Sequence, residues 1–196
     1  VIPNGVDVGL YKPNHAVEQE TALIYTGSMD WFPNEDAAIY FADEILPTVQ
    51  AQYPKVKFYV VGQFPSNRLR HLGNRAGIVV TGRVDDVKPY IARATIYVVP
   101  LRIGGGTRLK ILEALAMEKA VVSTSVGAEG LGLVTYEELI IADEPADFAD
   151  SVLQLLKDQS MQRQLGENGR QRVETEYDWH RIGDRLHMVY SDVVNR

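Results

Sequence analysis

Apolar runs recur along the chain at fairly regular intervals, and each is short and rich in β-branched residues. A strand with one exposed face alternates apolar and polar positions, whereas these runs are almost continuously apolar, as in parallel strands buried on both faces. They predict five buried strands, and a shorter run near residue 140 predicts a sixth. The predicted strands cover residues 22–26, 57–61, 78–81, 96–99, 120–124 and 139–141.

Segments with helical periodicity separate the predicted strands. They cover residues 35–50, 66–72, 86–93 and 109–117. Because strand and helix alternate, the pattern predicts right-handed βαβ units. The predicted fold class is therefore α/β, with a doubly wound, Rossmann-like parallel sheet of about six strands and helices on both of its faces.

The chain becomes wholly helical after Pro145, with predicted helices over residues 145–157, 160–177 and 179–194. This tail has too few apolar positions for a core of its own, so we expect it to pack on the sheet layer. We predict a single domain over residues 1–196, with a linker over residues 1–20. The chain opens without a methionine in a turn-rich segment, which indicates a piece of a longer protein.

Composition narrows the function classes. The chain has 20 Lys and Arg against 26 Asp and Glu, a formal net charge of −6, which argues against a nonspecific nucleic-acid binder. With 45% hydrophobic and 23% charged residues it can bury a core. The chain contains no cysteine, which excludes disulfides and thiolate sites and suits a cytoplasmic location. No apolar run approaches the ~18–20 residues that span a bilayer, so we expect a soluble protein.

Function is expected in the loops that follow the strands, because open parallel sheets bind ligands beyond the carboxyl ends of their strands. These loops cover residues 27–34, 62–65, 82–86, 100–107 and 125–133. Four of the five carry a glycine within their first three residues. Glycine allows a ligand to approach the backbone closely, but it also simply turns a chain, and both interpretations stay open here.

The strongest chemical signal lies in the loop over residues 100–107. Three consecutive glycines precede Thr107, a candidate N-cap, and the helix that follows carries Arg108 and Lys110 in its first turn. Cations at a helix N-terminus cost roughly 0.3–1 kcal/mol each, so an anion is expected there. With Arg102 as a candidate third cation, the loop predicts a phosphate site. The alternative is that both cations face solvent, with Lys110 paired to Glu113.

The first loop predicts a different role. Asn34 is a candidate helix cap, and Glu35 and Asp36 would satisfy the helix dipole, so no phosphate is expected there. The loop lacks the G-x-G-x-x-G pattern of dinucleotide sites, which disfavours a nicotinamide-dependent oxidoreductase. Trp31 and Phe32 would either cover the core or line a surface for a ligand or partner.

The other candidate residues predict no metal and no hydrolase. Asp85 and Asp86 precede a predicted helix, so we interpret them as its cap rather than as metal ligands. Ser28 has no G-x-S-x-G context, so a hydrolase triad is not expected. The four histidines have no metal-ligand spacing, and we place them on the surface or in the tail: His15, His71, His180 and His187.

Several short motifs, in a fixed order, resemble the carboxyl-terminal half of the GT-B-fold, retaining, nucleotide-sugar-dependent glycosyltransferases of the large bacterial lineage numbered family 4. The likeness runs essentially from end to end. The motifs are IPNGVD at 2–7, TG at 26–27, VVG at 60–62, TGRVDD at 81–86, the loop and helix start at 100–113, LEALAM at 112–117 and VVST at 121–124.

The resemblance implies that this half binds a UDP- or GDP-sugar donor without a cofactor or metal. A separate N-terminal domain, absent here, would bind the acceptor, a glycan or lipid, and peripheral membrane association of the full-length protein is compatible with that role. Family members place the phosphates on the loop before the helix, the base on the backbone matching 83–86, and the ribose on the residue matching Glu113. No catalytic residue is assigned. The implied donor-binding residues are Gly27, Ser28, Arg83, Val84, Arg102, Gly105, Gly106, Thr107, Arg108, Leu109, Lys110 and Glu113.

Two departures from the family pattern affect this expectation. Gly105 stands where the family often has a glutamate that contacts the sugar. Ser28 and the acidic helix start after Asn34 stand where the family often has phosphate-binding cations. We hypothesise that Arg102, Arg108 and Lys110 replace those cations. The alternative function is a non-catalytic nucleotide-binding or interaction module that kept the fold and lost the sugar contact.

Overall fold

The computed structural model describes residues 2–106 and 108–194. Across these residues six strands form one parallel sheet, which confirms the predicted fold class. The strands are β1 (Glu20–Thr26), β2 (Lys57–Val61), β3 (Ile78–Gly82), β4 (Ala94–Val99), β5 (Ala120–Ser123) and β6 (Ile140–Ile141). Their order across the sheet is β3-β2-β1-β4-β5-β6.

The helices also follow the predicted order. They are α1 (Phe32–Tyr40), α2 (Leu46–Gln52), α3 (Asn67–Leu72), α4 (Lys88–Arg93), α5 (Leu109–Ala116), α6 (Ser125–Ala128), α7 (Pro145–Lys157), α8 (Gln159–Glu176) and α9 (Trp179–Val194). The short helix α6 lies in a segment predicted as loop, where the Thr124 hydroxyl caps it by accepting from the Gly127 N–H at 3.0 Å. None of the described helices is long and apolar enough to cross a membrane.

The predicted cap at Asn34 is wrong, because α1 begins at Phe32 with Trp31 in the N-cap position. Pro33 fits the first turn, where its missing N–H costs no hydrogen bond. The Trp31 carbonyl accepts from the N–H groups of Asn34, at 2.9 Å, and Glu35, at 3.3 Å. Asn34 is thus inside the helix and buried, so its side chain can serve another contact.

The predicted helix over residues 35–50 is interrupted in the structure. Residues Phe41–Ile45 form a π-helical turn between α1 and α2. Pro47 explains the interruption, because proline lacks an N–H and its ring clashes with the carbonyl four residues earlier in a regular α-helix.

Helices cover both faces of the sheet. On one face Phe41 packs against Phe58 of β2 and Phe148 of α7, with ring centroids 4.5 and 5.9 Å apart. The crossover rule places α5, which connects β4 to β5, on the opposite face. There Gly169 of α8 packs against Leu115 of α5. In α9, within the described chain, only Ile182 is buried.

The strand order reverses between β1 and β4. In doubly wound sheets this reversal leaves a crevice beyond the carboxyl ends of the two strands, where ligands bind. The loop that starts at Gly27 follows β1, and the glycine-rich loop over residues 100–108 follows β4. The topology therefore brings together the two loops that sequence analysis treated separately.

Close packing between α8 and the turn after α5 yields a stability prediction. A Cβ at Gly166 would lie 2.3 Å from the Glu118 carbonyl oxygen, whereas a Cβ at Gly183 of α9 meets no described atom within 4 Å. Gly166→Ala should lower the free energy of unfolding by about 1–3 kcal/mol, because the helix must move away. Gly183→Ala should leave it unchanged or raise it by up to about 1 kcal/mol. Urea unfolding measures both, and equal effects would contradict this packing.

Candidate functional site

A cleft of about 440 Å³ opens at the carboxyl ends of β1, β2 and β3. Its walls come from the loops after these strands, from α5 and from the N-terminal segment, which we define as residues 2–19. The cleft is lined by Tyr11, Thr26, Gly27, Ser28, Val61, Gly62, Gln63, Arg83, Val84, Val87 and Glu113. Five of the predicted site residues therefore meet at one cleft: Gly27, Ser28, Arg83, Val84 and Glu113.

Backbone contact between two loops forms one wall of this cleft. The Gly27 N–H donates to the Val61 carbonyl at 3.1 Å, and the Met29 N–H donates to the Gln63 carbonyl at 2.9 Å. A Cβ at Gly62 would lie 1.7 Å from the Gly27 carbonyl oxygen, so a side chain at Gly62 would push the loops apart. Glycine is required here by close approach of the backbone.

A buried polar cluster lies behind the loop that begins at Gly27. The Tyr25 hydroxyl and the Lys110 Nζ both donate to the Asn34 Oδ1 at 2.7 Å. The Asn34 Nδ2 donates to the Ser28 carbonyl at 2.8 Å, and the Lys110 Nζ also donates to the Tyr25 hydroxyl at 2.9 Å. These bonds connect the end of β1, the first turn of α1 and the first turn of α5. We call Tyr25, Asn34 and Lys110 the junction cluster.

Lys110 is directed into the protein rather than into solvent. Its Nζ lies 4.2 Å from the centre of the Tyr25 ring and 3.1 Å from the position of a Cβ at Gly27. Burial, opposed by the attraction of Glu113 and helped by repulsion from Arg108, lowers the pKa of Lys110 to about 7. No ion pair joins Lys110 to Glu113 within the described part of the chain, so the simple pairing of these two residues is not what holds Lys110.

Glu113 lies half-buried on α5, one turn from the start of the helix. Burial raises the pKa of Glu113 above its ordinary value, while the Tyr11 hydroxyl and Lys110 favour its ionised form. The Glu113 carboxylate can therefore accept hydrogen bonds from a ligand in the cleft that it lines.

Arg108 holds the glycine-rich loop in place. Its side chain is 4% exposed, and its Nη1 and Nη2 donate to the Gly105 and Gly104 carbonyls, each at 3.2 Å. Gly104 and Gly106 have φ angles of 147° and 86°, which side chains rarely adopt. The Arg108 Nε has no hydrogen-bond partner among the residues the structure describes, which leaves one donor of a buried cation unsatisfied.

The predicted cap at Thr107 lies outside the described residues. The helix begins at Leu109, so Arg108 stands in the N-cap position rather than in the first turn, and its side chain makes no cap. Leu109 is 40% exposed beside the loop, and Gly105 and Gly106 are exposed as well. Residues on both sides of this helix start are therefore exposed.

Arg102 has a partner within the chain. Its Nη2 and Nε donate to the Asp36 carboxylate at 2.6 and 3.1 Å, and its guanidinium lies 4.3 Å from the centre of the Tyr40 ring. The hydrogen bond to Asp36 raises the pKa of Arg102. Arg102 is thus paired with an acidic residue of α1 and does not line the cleft. Its contact with a donor stays a prediction.

The remaining sequence candidates have local roles. The Asp86 Oδ1 accepts from the Lys88 N–H at 2.9 Å, so this carboxylate satisfies a backbone N–H at the start of α4, where Val87 holds the N-cap position. The interpretation of Trp31 and Phe32 as core cover is wrong, because they are 49% and 62% exposed. In the described residues, no group of three or more His, Asp or Glu side chains could hold a metal ion.

A family model described as "Glycosyl transferases group 1" matches residues 20–158, which span all six strands and helices α1 to α7. The match includes the cleft-lining loops, Glu113 and the junction cluster. The chain belongs to this family. The lipopolysaccharide core biosynthesis mannosyltransferase LpcC of Rhizobium leguminosarum is 26% identical over 220 residues, covering 99% of this chain and 60% of that protein.

Solved structures show the same fold. The C-terminal domain of the group 1 glycosyl transferase LpcC from Francisella tularensis superposes with a TM-score of 0.70 at 19% identity, covering 89% of this chain and all of that one. Anabaena HepE, solved with UDP and glucose, superposes with a TM-score of 0.78 at 16% identity, covering 97% of this chain and 56% of that one. This chain spans about half the length of the curated relatives that it matches, between 32% and 60%.

The sequence does not single out Tyr11, which lines the cleft, and it assigns no site role to Tyr25 or Asn34 of the junction cluster. Tyr11 lies in a segment interpreted as a linker, and no periodicity marked it. Tyr25 was counted only as part of a strand, and Asn34 only as a cap. A polar group within an otherwise apolar strand, such as the Tyr25 hydroxyl, must find a partner when buried, and that requirement was the available signal.

The lowered pKa of Lys110 predicts how stability depends on pH. The unfolded chain holds this proton with a pKa of about 10.4, so between about pH 7 and pH 10 the unfolded state binds more protons. Lys110 therefore makes the free energy of unfolding rise with pH over this range, by at most about 1.4 kcal/mol per pH unit. In Lys110→Met this contribution disappears, and the curve should be flatter. Urea unfolding from about pH 6 to pH 9 measures both proteins, and parallel curves would contradict a lowered pKa.

Proposed function

We propose that this chain is the donor-binding part of a retaining glycosyltransferase and that its cleft takes the nucleoside diphosphate of a UDP- or GDP-sugar. One observation carries the proposal. Glu113, on the helix that follows the glycine-rich loop, faces the same cleft as the backbone turns after β1 and β3. A ligand that contacts all three must carry hydrogen-bonding groups along an extended length, as a nucleotide does.

The three contacts fit three parts of one nucleotide. In the proposed binding mode the base lies against the backbone at Arg83 and Val84, and Glu113 accepts hydrogen bonds from the ribose hydroxyls. The diphosphate lies at the start of α5, where a helix N-terminus favours an anion. Glu113 is one helical turn, about 5.4 Å, from Leu109, which suits a ribose joined to a phosphate at the helix start. Backbone contacts to the diphosphate come from Gly27, Ser28, Gly105 and Gly106, and the predicted contact at Thr107 lies outside the described residues.

Positive charge at the start of α5 supports a mechanism that uses no metal. When the sugar departs from the diphosphate, negative charge builds on the leaving phosphate, and fixed cations stabilise it. Lys110 and Arg108 supply that charge in the proposed site. With a pKa of about 7, Lys110 is only partly protonated at neutral pH, and an adjacent phosphate would favour its charged form.

The complete protein would transfer the sugar to a glycan or lipid acceptor held by another domain. Support comes from the relatives, which include the LpcC mannosyltransferase and a GDP-mannose-dependent mannosyltransferase of Corynebacterium glutamicum that is 24% identical over 209 residues. The second candidate, a non-catalytic module, is favoured by one observation, that Gly105 replaces a family sugar contact. Donor turnover by the full-length protein separates the two candidates.

Calorimetry with UDP, GDP and NAD tests the proposed site on this chain. We expect UDP or GDP to bind and NAD not to bind. Charge-assisted hydrogen bonds contribute about 1.5–3 kcal/mol, so Lys110→Met should weaken diphosphate binding by roughly 10- to 100-fold. Arg102→Met is the matched comparison, and its effect should be smaller because Arg102 is already paired with Asp36. Binding of NAD alone, or an unchanged affinity in Lys110→Met, would reject the phosphate site.

Recognition of the ribose by Glu113 predicts discrimination against a deoxynucleotide. Wild type should bind 2′-deoxy-UDP about 1–3 kcal/mol more weakly than UDP, because one acceptor site of a buried carboxylate is left unpaired. In Glu113→Ala this preference should vanish. Competition binding with the two nucleotides measures it in both proteins. If both proteins discriminate equally, Glu113 does not contact the ribose.

A further inference from the structure

The N-terminal segment is fixed firmly against α5. Arg170 of α8 donates to the Tyr11 carbonyl at 2.8 Å, to the Val8 carbonyl at 3.2 Å and to the carbonyl of Ala116, the last residue of α5. One guanidinium thus holds this segment and the helix that carries Glu113 in a common frame. The Arg170 Nε is itself paired with Glu174 at 2.6 Å, which orients the guanidinium.

A turn just before Tyr11 fixes its backbone from the other side. The Asp7 Oδ1 accepts from the N–H groups of Gly9 and Leu10, each at 2.9 Å, and the Asp7 carbonyl accepts from the Tyr11 N–H at 2.9 Å. Aspartate often stabilises a turn in this way. Tyr11 therefore enters the cleft from a backbone that is held at both its N–H and its carbonyl.

The Tyr11 side chain reaches Glu113 across the cleft. The two residues line the same cavity, and each changes the pKa of the other. The Lys88 Nζ lies 5.6 Å from the centre of the Tyr11 ring, on the side of α4. Of the residues that the structure describes, Glu113 takes part in no ion pair, so the Tyr11 hydroxyl is the neighbouring group available to orient its carboxylate.

We propose that Tyr11 is a positioning residue for Glu113: its hydroxyl fixes the carboxylate in the orientation that accepts the ribose hydroxyls of the donor. This inference rests on the proposed function of the cleft. A carboxylate has about four acceptor positions on two oxygens, so one bond to Tyr11 leaves enough capacity for a ribose diol. The fixed orientation lowers the cost of ordering a flexible glutamate when the nucleotide binds.

The proposed hydrogen bond also favours the ionised form of Glu113. Burial raises the pKa of Glu113, and the Tyr11 hydroxyl opposes that change because it bonds the charged form. Protonated Glu113 would lose acceptor capacity, so affinity should be present above its pKa and fall as the pH drops through it. The other groups around the pair are Lys110 on α5, Arg83 and Asp86 after β3, and Tyr97 on β4. Deprotonation of Lys110 would weaken binding on the alkaline side instead.

Tyr11→Phe tests the proposal, with Tyr53→Phe, at the end of α2, as a matched control. A carboxyl carbon NMR titration without nucleotide reads the pKa of Glu113 directly, and we expect it to be higher in Tyr11→Phe and unchanged in Tyr53→Phe. Binding of UDP and of 2′-deoxy-UDP is then measured from about pH 5 to pH 9. In Tyr11→Phe the acid limb of UDP binding should move to higher pH, the alkaline limb should stay, and UDP affinity near neutral pH should fall about tenfold.

Nucleotide binding by wild type tests the proposed function, and the comparison of wild type with Tyr11→Phe tests the positioning role. If wild type binds neither UDP nor GDP, the proposed function fails. If wild type binds UDP but Tyr11→Phe shows an unchanged Glu113 pKa, or an unchanged acid limb and affinity, the positioning role is overturned. If Tyr11→Phe loses affinity equally at every pH while the titration of Glu113 is unchanged, Tyr11 only packs against its neighbours. That result would overturn the positioning role as well.

Discussion

The hydrogen bonds among Tyr25, Asn34 and Lys110 are the contact on which the site depends. They join β1, α1 and α5 directly behind the loop that begins at Gly27. β1 and α1 follow one another in the first βαβ unit, but α5 comes after β4, so no local interaction could set the distance between α5 and the other two elements. Without Asn34 the buried Lys110 amine would lose a hydrogen-bond acceptor. The free-energy cost of burying this amine would then destabilise the start of α5.

Two opposed charges on one helix give the cleft its chemical character. Burial lowers the pKa of Lys110 and raises the pKa of Glu113, so the folded structure disfavours the charged form of both side chains. A ligand with an anionic end and hydroxyl groups one helical turn away relieves both effects together. A nucleoside diphosphate carries both an anionic end and such hydroxyl groups, whereas a simple anion or a neutral sugar carries only one of the two. This inference agrees with the family to which the chain belongs.

The departures from the family pattern are connected through the same contact. The first loop carries Ser28 where relatives often carry a cation, yet an amine lies beside Gly27 because Lys110 reaches it from α5. Asn34 then serves as the acceptor that holds this amine, rather than as a helix cap. Arg102, the other candidate, compensates Asp36 at the start of α1. The positive charge near the first loop is thus supplied by Lys110 of α5 rather than by a residue of the loop itself.

The amino-acid sequence by itself determined the six strands, most helix bounds and the loops in which the site lies, because the apolar period and glycine positions are local properties. It also marked Glu113 and the cations of α5. Only the tertiary structure decided which of those cations faces Gly27, that Arg102 is bound to Asp36 and that Tyr11 meets Glu113. Those contacts join residues between 66 and 102 positions apart in the chain, and their geometry follows from the reversal of strand order between β1 and β4, which no local pattern encodes.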